Sequence, residues 1–182
     1  MDTFPFLEKV LYTEEEMKQR ISELGKEITK DYQDKDLVVV SLLRGGAIFS
    51  SDLIREIKLP LEIDYMAVSS YGNGVKSSGV VRVLKDLNTE VEGRHVLIAE
   101  DVLDSGLTLR YIIDYLASRN PASIEVVACL RKDVPGQVDV DCKYVGFNCA
   151  NEFIVGYGLD YAEKYRNLPC IGVLKPEIYQ AQ

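Results

Sequence analysis

The segment from Val96 to Thr108 constrains this chain more than any other. An apolar run, Val96-Leu97-Ile98-Ala99, leads into two adjacent acids, Glu100 and Asp101, and then into the small turn Asp104-Ser105-Gly106-Leu107-Thr108. Leu109, Ile112, Ile113 and Leu116 follow at helical spacing. A continuous apolar tetrapeptide is what a strand buried on both faces carries, so the segment reads as strand, loop, helix, the building unit of a parallel sheet.

That arrangement has a chemistry of its own. A helix start preceded by a glycine-containing turn presents unpaired N–H groups and the positive end of the helix dipole, both suited to a phosphate. Ser105 and Thr108 add hydroxyl donors. Glu100, Asp101 and Asp104 would repel a bare phosphate, so the ligand must also carry something that carboxylates want: sugar hydroxyls, a divalent cation or an exchangeable proton. A phosphorylated ribose with magnesium meets all three conditions. The plainer reading is an ordinary strand-to-helix turn with solvated acids.

Elsewhere the chain alternates in the same way. Thr13-Glu14-Glu15-Glu16 is a capping box, and Met17, Ile21, Leu24 and Ile28 place an amphipathic helix after it. Leu37 to Leu43 reads as a buried strand, Arg44-Gly45-Gly46 as its exit loop and Ala47 to Ile57 as a helix. Strand-like runs recur at Leu61 to Ser69, Val80 to Leu84 and Ile124 to Leu130. This pattern predicts an α/β protein with a mostly parallel, doubly wound sheet that binds its ligand beyond the carboxyl ends of the strands. Tyr71 to Gly79 is rich in glycine and serine, but the third glycine of a dinucleotide fingerprint would fall on Ser77 and no helix pattern follows. The stretch is a hairpin connection or a lid over the site.

With 182 residues, 47% of them hydrophobic and 27% charged, a single soluble domain spanning 1–182 is expected. A net charge of -8 argues against nucleic-acid or membrane-surface partners. The start lacks a basic region followed by a long apolar stretch, so neither a signal segment nor a membrane span is expected. Cys129, Cys142, Cys149 and Cys170 form no Cys-x-x-Cys pair, and His95 is the only histidine, which suggests neutral thiols in a reducing cytoplasm rather than disulfides or zinc.

The Glu100 to Thr108 segment closely resembles the signature of type I phosphoribosyltransferases, which bind 5-phosphoribosyl-1-diphosphate. The resemblance implies that Asp104, Ser105, Gly106, Leu107 and Thr108 cradle the 5'-phosphate, and that Glu100 and Asp101 face the ribose hydroxyls and Mg2+. It implies the fold of that family: a core at about 37–135 with a small hood from the N-terminal segment and about 140–182. From Leu37 to Val173 the chain is similar to the hypoxanthine-guanine branch. Leu43-Arg44-Gly45-Gly46 matches that branch's pyrophosphate loop, with a cis peptide before the basic residue, and Ser69-Ser70-Tyr71 matches the start of its closing lid.

Further matches extend this reading. Lys132 stands where the branch has its purine-selecting lysine; an ammonium only donates, so it suits the 6-oxo group of hypoxanthine or guanine and not the 6-amino group of adenine. Tyr144-Val145-Gly146-Phe147 resembles the purine pocket, Tyr144 stacking on the base and the Val145 backbone reading its edge, although periodicity alone assigns Tyr144 to the core. Asn151 stands where family members often carry an aspartate that lines this pocket and holds a second magnesium, for which an amide is a weaker ligand. In the C-terminal signature, Tyr157 to Leu168, Arg166 matches a pyrophosphate-binding arginine; Tyr157, Tyr161 and Tyr165, four apart, are expected to pack.

The resemblance thus implies purine salvage: hypoxanthine or guanine is joined to 5-phosphoribosyl-1-diphosphate, giving IMP or GMP and pyrophosphate, with Asp104 as acid/base at purine N7 and a homodimer or homotetramer as the assembly. A xanthine-preferring transferase is the near alternative. A nucleotide- and RNA-binding regulator on the same fold is the distant one, disfavoured by the acid at Asp104 and the negative charge.

Overall fold

The computed structural model describes residues 4–70 and 81–180. Six strands make the main sheet: β2 (Leu37–Leu43), β3 (Glu62–Ser70), β4 (Val81–Lys85), β5 (His95–Leu103), β6 (Ser123–Lys132) and β7 (Tyr144–Cys149). They lie in the order β4-β3-β2-β5-β6-β7, parallel throughout except for the antiparallel edge strand β4. Three more strands, β1 (Leu7–Tyr12), β8 (Ile154–Val155) and β9 (Ile171–Leu174), form a separate antiparallel sheet in the order β1-β9-β8.

Helices α1 (Glu14–Asp31), α2 (Gly46–Glu56) and α3 (Leu107–Ala117) cover the main sheet, and α4 (Pro176–Tyr179) ends the described chain. The two faces follow from the period-two alternation of buried strands. Leu37, Val39, Leu97, Ala99 and Val127 point toward α1 and α2, with Met17, Leu24, Ile28, Phe49 and Leu53. Val38, Val40, Val96, Ile98 and Val126 point toward α3, with Leu109, Ile112 and Leu116. Leu37 to Leu42 is buried at every position, the mark of a strand covered on both sides. The capping box forms as expected: Glu16 N–H donates to the Thr13 hydroxyl at 3.3 Å and Thr13 N–H donates to the Glu16 carboxylate at 2.8 Å.

Several expected elements grow or change. The strand read at Val96 to Ala99 extends as β5 to Leu103, so Glu100 and Asp101 lie within a strand. β7 pairs with β6 in the main sheet, so residues 144–149 belong to the core layer, and the C-terminal strands of the small sheet, β8 and β9, come after them. The tyrosines at 157, 161 and 165 do pack, but not on a helix. Tight turns with antiparallel bridges Gly156–Leu159 and Tyr161–Lys164 run through this segment, and Tyr157, Ala162, Glu163 and Tyr165 have positive φ. Tyr157 is buried, and Tyr165 lies against Phe6 with ring centroids 5.0 Å apart.

Candidate active site

Chain order makes the crevice. The connection after β2 leads to β3 on one side and the connection after β5 leads to β6 on the other, so their loops part beyond the carboxyl ends of two adjacent strands, where a doubly wound sheet opens for a ligand. A cleft of about 250 Å³ lies there, lined by Gly45, Glu100, Asp101, Asp104, Ser105 and Thr108 among others. The residues singled out in the 100–108 segment are therefore brought together with the loop at Arg44 and Gly45.

The phosphate-type turn forms at the start of α3. Gly106, the residue before the helix, has φ +79°, a conformation that L side chains rarely adopt, and a β-carbon on it would lie 2.9 Å from the Val138 carbonyl. Gly106 offers no side chain to cap the helix, and the first-turn Leu107 N–H makes only a long contact, 3.5 Å, to the Ser105 hydroxyl, in place of the capping box that Thr13 provides for α1. The Ser105 carbonyl accepts from Val138 N–H at 2.9 Å, and the Gln137 side-chain amide donates to the carbonyls of Asp104 and, at 3.4 Å, of Lys132. Gln137 so ties the turn after β5 to the end of β6.

Glu100 and Asp101 supply hard oxygen donors to the cleft. Burial and the neighbouring Asp101 carboxylate push the Glu100 carboxyl well above the usual range, a crowding that positive charge brought into the cleft would relieve. Among the described residues no group of three or more His, Cys, Asp or Glu side chains forms a metal cage. One or two carboxylates, with water and substrate oxygens completing the shell, is the share that magnesium usually takes from a protein. The donor set fits that ion.

The pyrophosphate-type loop is built on close backbone approach. The Leu43–Arg44 peptide is cis. A β-carbon on Gly45 would overlap the Asp101 carboxylate, and one on Gly158 would overlap the Gly45 carbonyl, so the turn that carries Arg166 stacks directly on the Arg44 loop. Arg166 donates from Nη1 to the Gly158 carbonyl at 2.7 Å, and its Nη2 lies 3.0 Å from Asp160 Oδ1. Arg166 Nε is buried with no hydrogen-bond partner among the described residues. Arg44 Nη1 lies 2.8 Å from Glu163 Oε2.

Lys132, at the end of β6, directs Nζ to within 3.7 Å of Asp104 Oδ2. Three purine-pocket expectations fare differently. Tyr144 is only 1% exposed; its hydroxyl donates to Asp31 of α1 at 2.7 Å, and its register partner is Val127, whereas Lys132 pairs with Cys149. Five residues of strand, roughly 16 Å, separate it from the Lys132 end of the sheet, so its ring is a core ring and does not reach the cleft. Val145 shares that location, and its carbonyl accepts from Arg20 Nη2 at 2.8 Å, so its backbone is already engaged away from the cleft. Asn151 is exposed in the connection after β7, with none of the described side-chain contacts of the site. Ser70 ends β3; Tyr71 and the rest of the expected lid, through Gly79, lie outside the described residues, as does Val80, the first residue of the strand expected after it.

A phosphoribosyl transferase domain model matches residues 9–162. The chain is 50% identical over 175 residues to the hypoxanthine-guanine phosphoribosyltransferase of Bacillus subtilis, covering 96% of this chain and 97% of that protein. The chain belongs to the hypoxanthine-guanine phosphoribosyltransferase family. It is also 51% identical to the bifunctional protein TilS/HprT of Listeria monocytogenes, a match that covers 95% of this chain but spans only 27% of that protein's length. Among solved structures, a hypoxanthine phosphoribosyltransferase from Staphylococcus aureus superposes with a TM-score of 0.94 at 49% identity, covering 98% of each chain. One from Trypanosoma cruzi, a variant complexed with the product IMP, does so with a TM-score of 0.93 at 41% identity, covering 100% of this chain and 97% of that one.

Within this family frame, two residues that sequence reasoning passed over stand out. Phe153 is an aromatic ring left 37% exposed in the segment after β7, stacked on Tyr179 with centroids 4.3 Å apart and edge-on to Tyr161. Asp160 is the carboxylate held by Arg166 two residues beyond the Gly158 contact. Asp160 lies inside the C-terminal signature, where the Gly158-Leu159-Asp160 step is the available signal. Nothing in the periodicity around Phe153 marks it.

Proposed function

We propose that this protein transfers the 5-phosphoribosyl group from 5-phosphoribosyl-1-diphosphate to hypoxanthine or guanine, forming IMP or GMP and pyrophosphate. The observation that carries the reading is the Lys132–Asp104 pair beside the phosphate-type turn, 3.7 Å between Nζ and Oδ2. A 6-oxopurine presents O6 and N7 side by side on one edge. Lys132 donates to O6, and Asp104 takes the N7 proton as N9 attacks the anomeric carbon and the bond to the pyrophosphate oxygen breaks. Adenine, with an amino group at that edge, meets a donor with a donor.

The N–H groups and hydroxyls of the 104–108 turn hold the 5'-phosphate and fix the sugar for in-line displacement. Arg44, the Gly45 backbone and Arg166 receive the departing pyrophosphate, where their positive charge counts most as negative charge develops. Glu100 and Asp101 would hold magnesium, directly or through ribose hydroxyls and water, and the ion would supply positive charge for the diphosphate there. With Tyr144 in the core, Phe153 is the aromatic ring available to stack on the base. The protein works as a homodimer or homotetramer in the cytoplasm, a compartment suited to its four free thiols.

Incubated with hypoxanthine, 5-phosphoribosyl-1-diphosphate and magnesium, the protein should release IMP and pyrophosphate in equal amounts. IMP bound without any turnover would point instead to a nucleotide-binding regulator.

A further inference from the structure

Arg44 and Arg166, far apart in sequence, converge on one carboxylate oxygen. Glu163 Oε2 lies 2.8 Å from Arg44 Nη1 and 3.2 Å from Arg166 Nη2. The turn that delivers this oxygen is specified in detail. Ala162 and Glu163 have φ of +49° and +64°, the left-handed region that non-glycine residues enter at a cost. Glu163 N–H donates to Asp160 Oδ2 at 2.9 Å, and the Tyr161–Lys164 bridge closes the turn. A turn held this way aims Glu163 at the adjacent Arg44 loop.

Guanidinium groups recognise carboxylate and phosphate through the same fork of donors, so a carboxylate between two arginines occupies the place that a phosphoryl group would take. Both ends of the Arg44–Glu163 pair are largely exposed, with side chains 71% and 57% accessible, so the contact is weak and easily exchanged for a more highly charged anion.

We infer that Glu163 is an internal stand-in for pyrophosphate: it holds Arg44 and Arg166 together in the free protein and competes with the diphosphate for them. The inference rests on the proposed role of these two arginines. Its consequence is that Glu163 weakens diphosphate binding and hastens pyrophosphate release, leaving the purine end of the site untouched. If Glu163 instead only positioned the arginines, losing its charge would weaken diphosphate binding, which is the opposite sign.

The test is calorimetric titration of wild type and Glu163→Gln with magnesium pyrophosphate at low ionic strength, with IMP as a separate ligand. The Glu163→Gln substitution preserves size and the turn while removing the competing charge; Glu163→Ala, checked by thermal melting, removes the oxygen as well. In both variants pyrophosphate should bind about two- to fivefold more tightly, the range spanned by an exposed ion pair, and inhibit the forward reaction correspondingly better. IMP affinity should not change. A wild type that binds pyrophosphate and variants that bind it equally or more weakly would overturn the stand-in role. A wild type that does not bind magnesium pyrophosphate would remove the underlying reading of Arg44 and Arg166, and the inference with it.

Discussion

Lys132 Nζ and Asp104 Oδ2 face each other at 3.7 Å, the lysine 13% exposed at the end of β6 and the aspartate 53% exposed in the turn after β5. Neighbouring strands in parallel register deliver one donor and one acceptor to the same side of the cleft. A purine edge with O6 beside N7 offers partners for two such neighbouring groups.

Removing the lysine should therefore act on the base and not on the sugar. Lys132→Ala loses a charge-assisted hydrogen bond to O6, and kcat/KM for hypoxanthine and guanine should fall by about 1–3 kcal/mol, roughly 5- to 150-fold. The KM for the diphosphate sugar should hold. Unchanged efficiency with hypoxanthine would assign O6 recognition to another residue.

Asp104→Asn keeps shape and hydrogen-bonding reach but cannot take a proton from N7. The transfer rate should drop by about two to four orders of magnitude, the usual contribution of a general acid or base. Binding of the diphosphate sugar should persist, because the N–H groups of the turn and the hydroxyls of Ser105 and Thr108 are unchanged. Single-turnover rates beside equilibrium binding separate the two effects, and near-normal turnover would show that Asp104 moves no proton.

Tyr144 and Phe153 make opposite predictions. Tyr144→Phe loses the hydrogen bond to Asp31 and should cost about 1 kcal/mol of stability, with the purine KM unchanged. Phe153→Ala should leave the fold largely intact and reduce kcat/KM for the base by about 5- to 150-fold, the scale of base stacking on an aromatic ring. The reverse pattern, a purine defect in the first variant and none in the second, would restore Tyr144 to the pocket.

The sheet core and the phosphate-type turn are legible in the sequence because their signals are local. Buried strands write continuous apolar runs, as at Leu37 to Val40, and the turn at Gly106 needs a residue that accepts positive φ. The purine end is not legible in the same way. Its groups come from three separate places, the connection after β5, the end of β6 and the connection after β7, and only register decides which residue reaches the cleft. Tyr144 and Lys132 sit in matching motifs yet five residues apart in that register. The small sheet escapes for a related reason: β8 is two residues long and pairs with β9, 16 residues further along the chain from Val155 to Ile171, leaving no periodicity to read.

One titration bears on the fold rather than the site. Asp64 is 6% exposed; burial opposes its ionisation, but N–H donors from Thr89, Tyr65 and Asn88 and the Lys85 ammonium outweigh that and hold its pKa at about 2. Because the folded value lies below the unfolded one, the stabilisation is complete above about pH 4 and is lost as pH falls toward 2, an amount of about 2 kcal/mol. Denaturant unfolding of wild type and Asp64→Asn between pH 7 and pH 2 should show the variant less stable at neutral pH and the difference shrinking on acidification. A difference that stays constant with pH would mean that this carboxylate is not held ionised by the fold.

Base selection by the Lys132–Asp104 pair is tested most directly by initial rates with hypoxanthine, guanine, xanthine and adenine, each supplied with 5-phosphoribosyl-1-diphosphate and magnesium. Lys132 beside Asp104 predicts fast turnover of hypoxanthine or guanine and, for adenine, turnover lower by at least about a hundredfold, the scale on which an unmatched buried donor rejects a substrate. Comparable rates with adenine, or no transfer to any of the four bases, would contradict it.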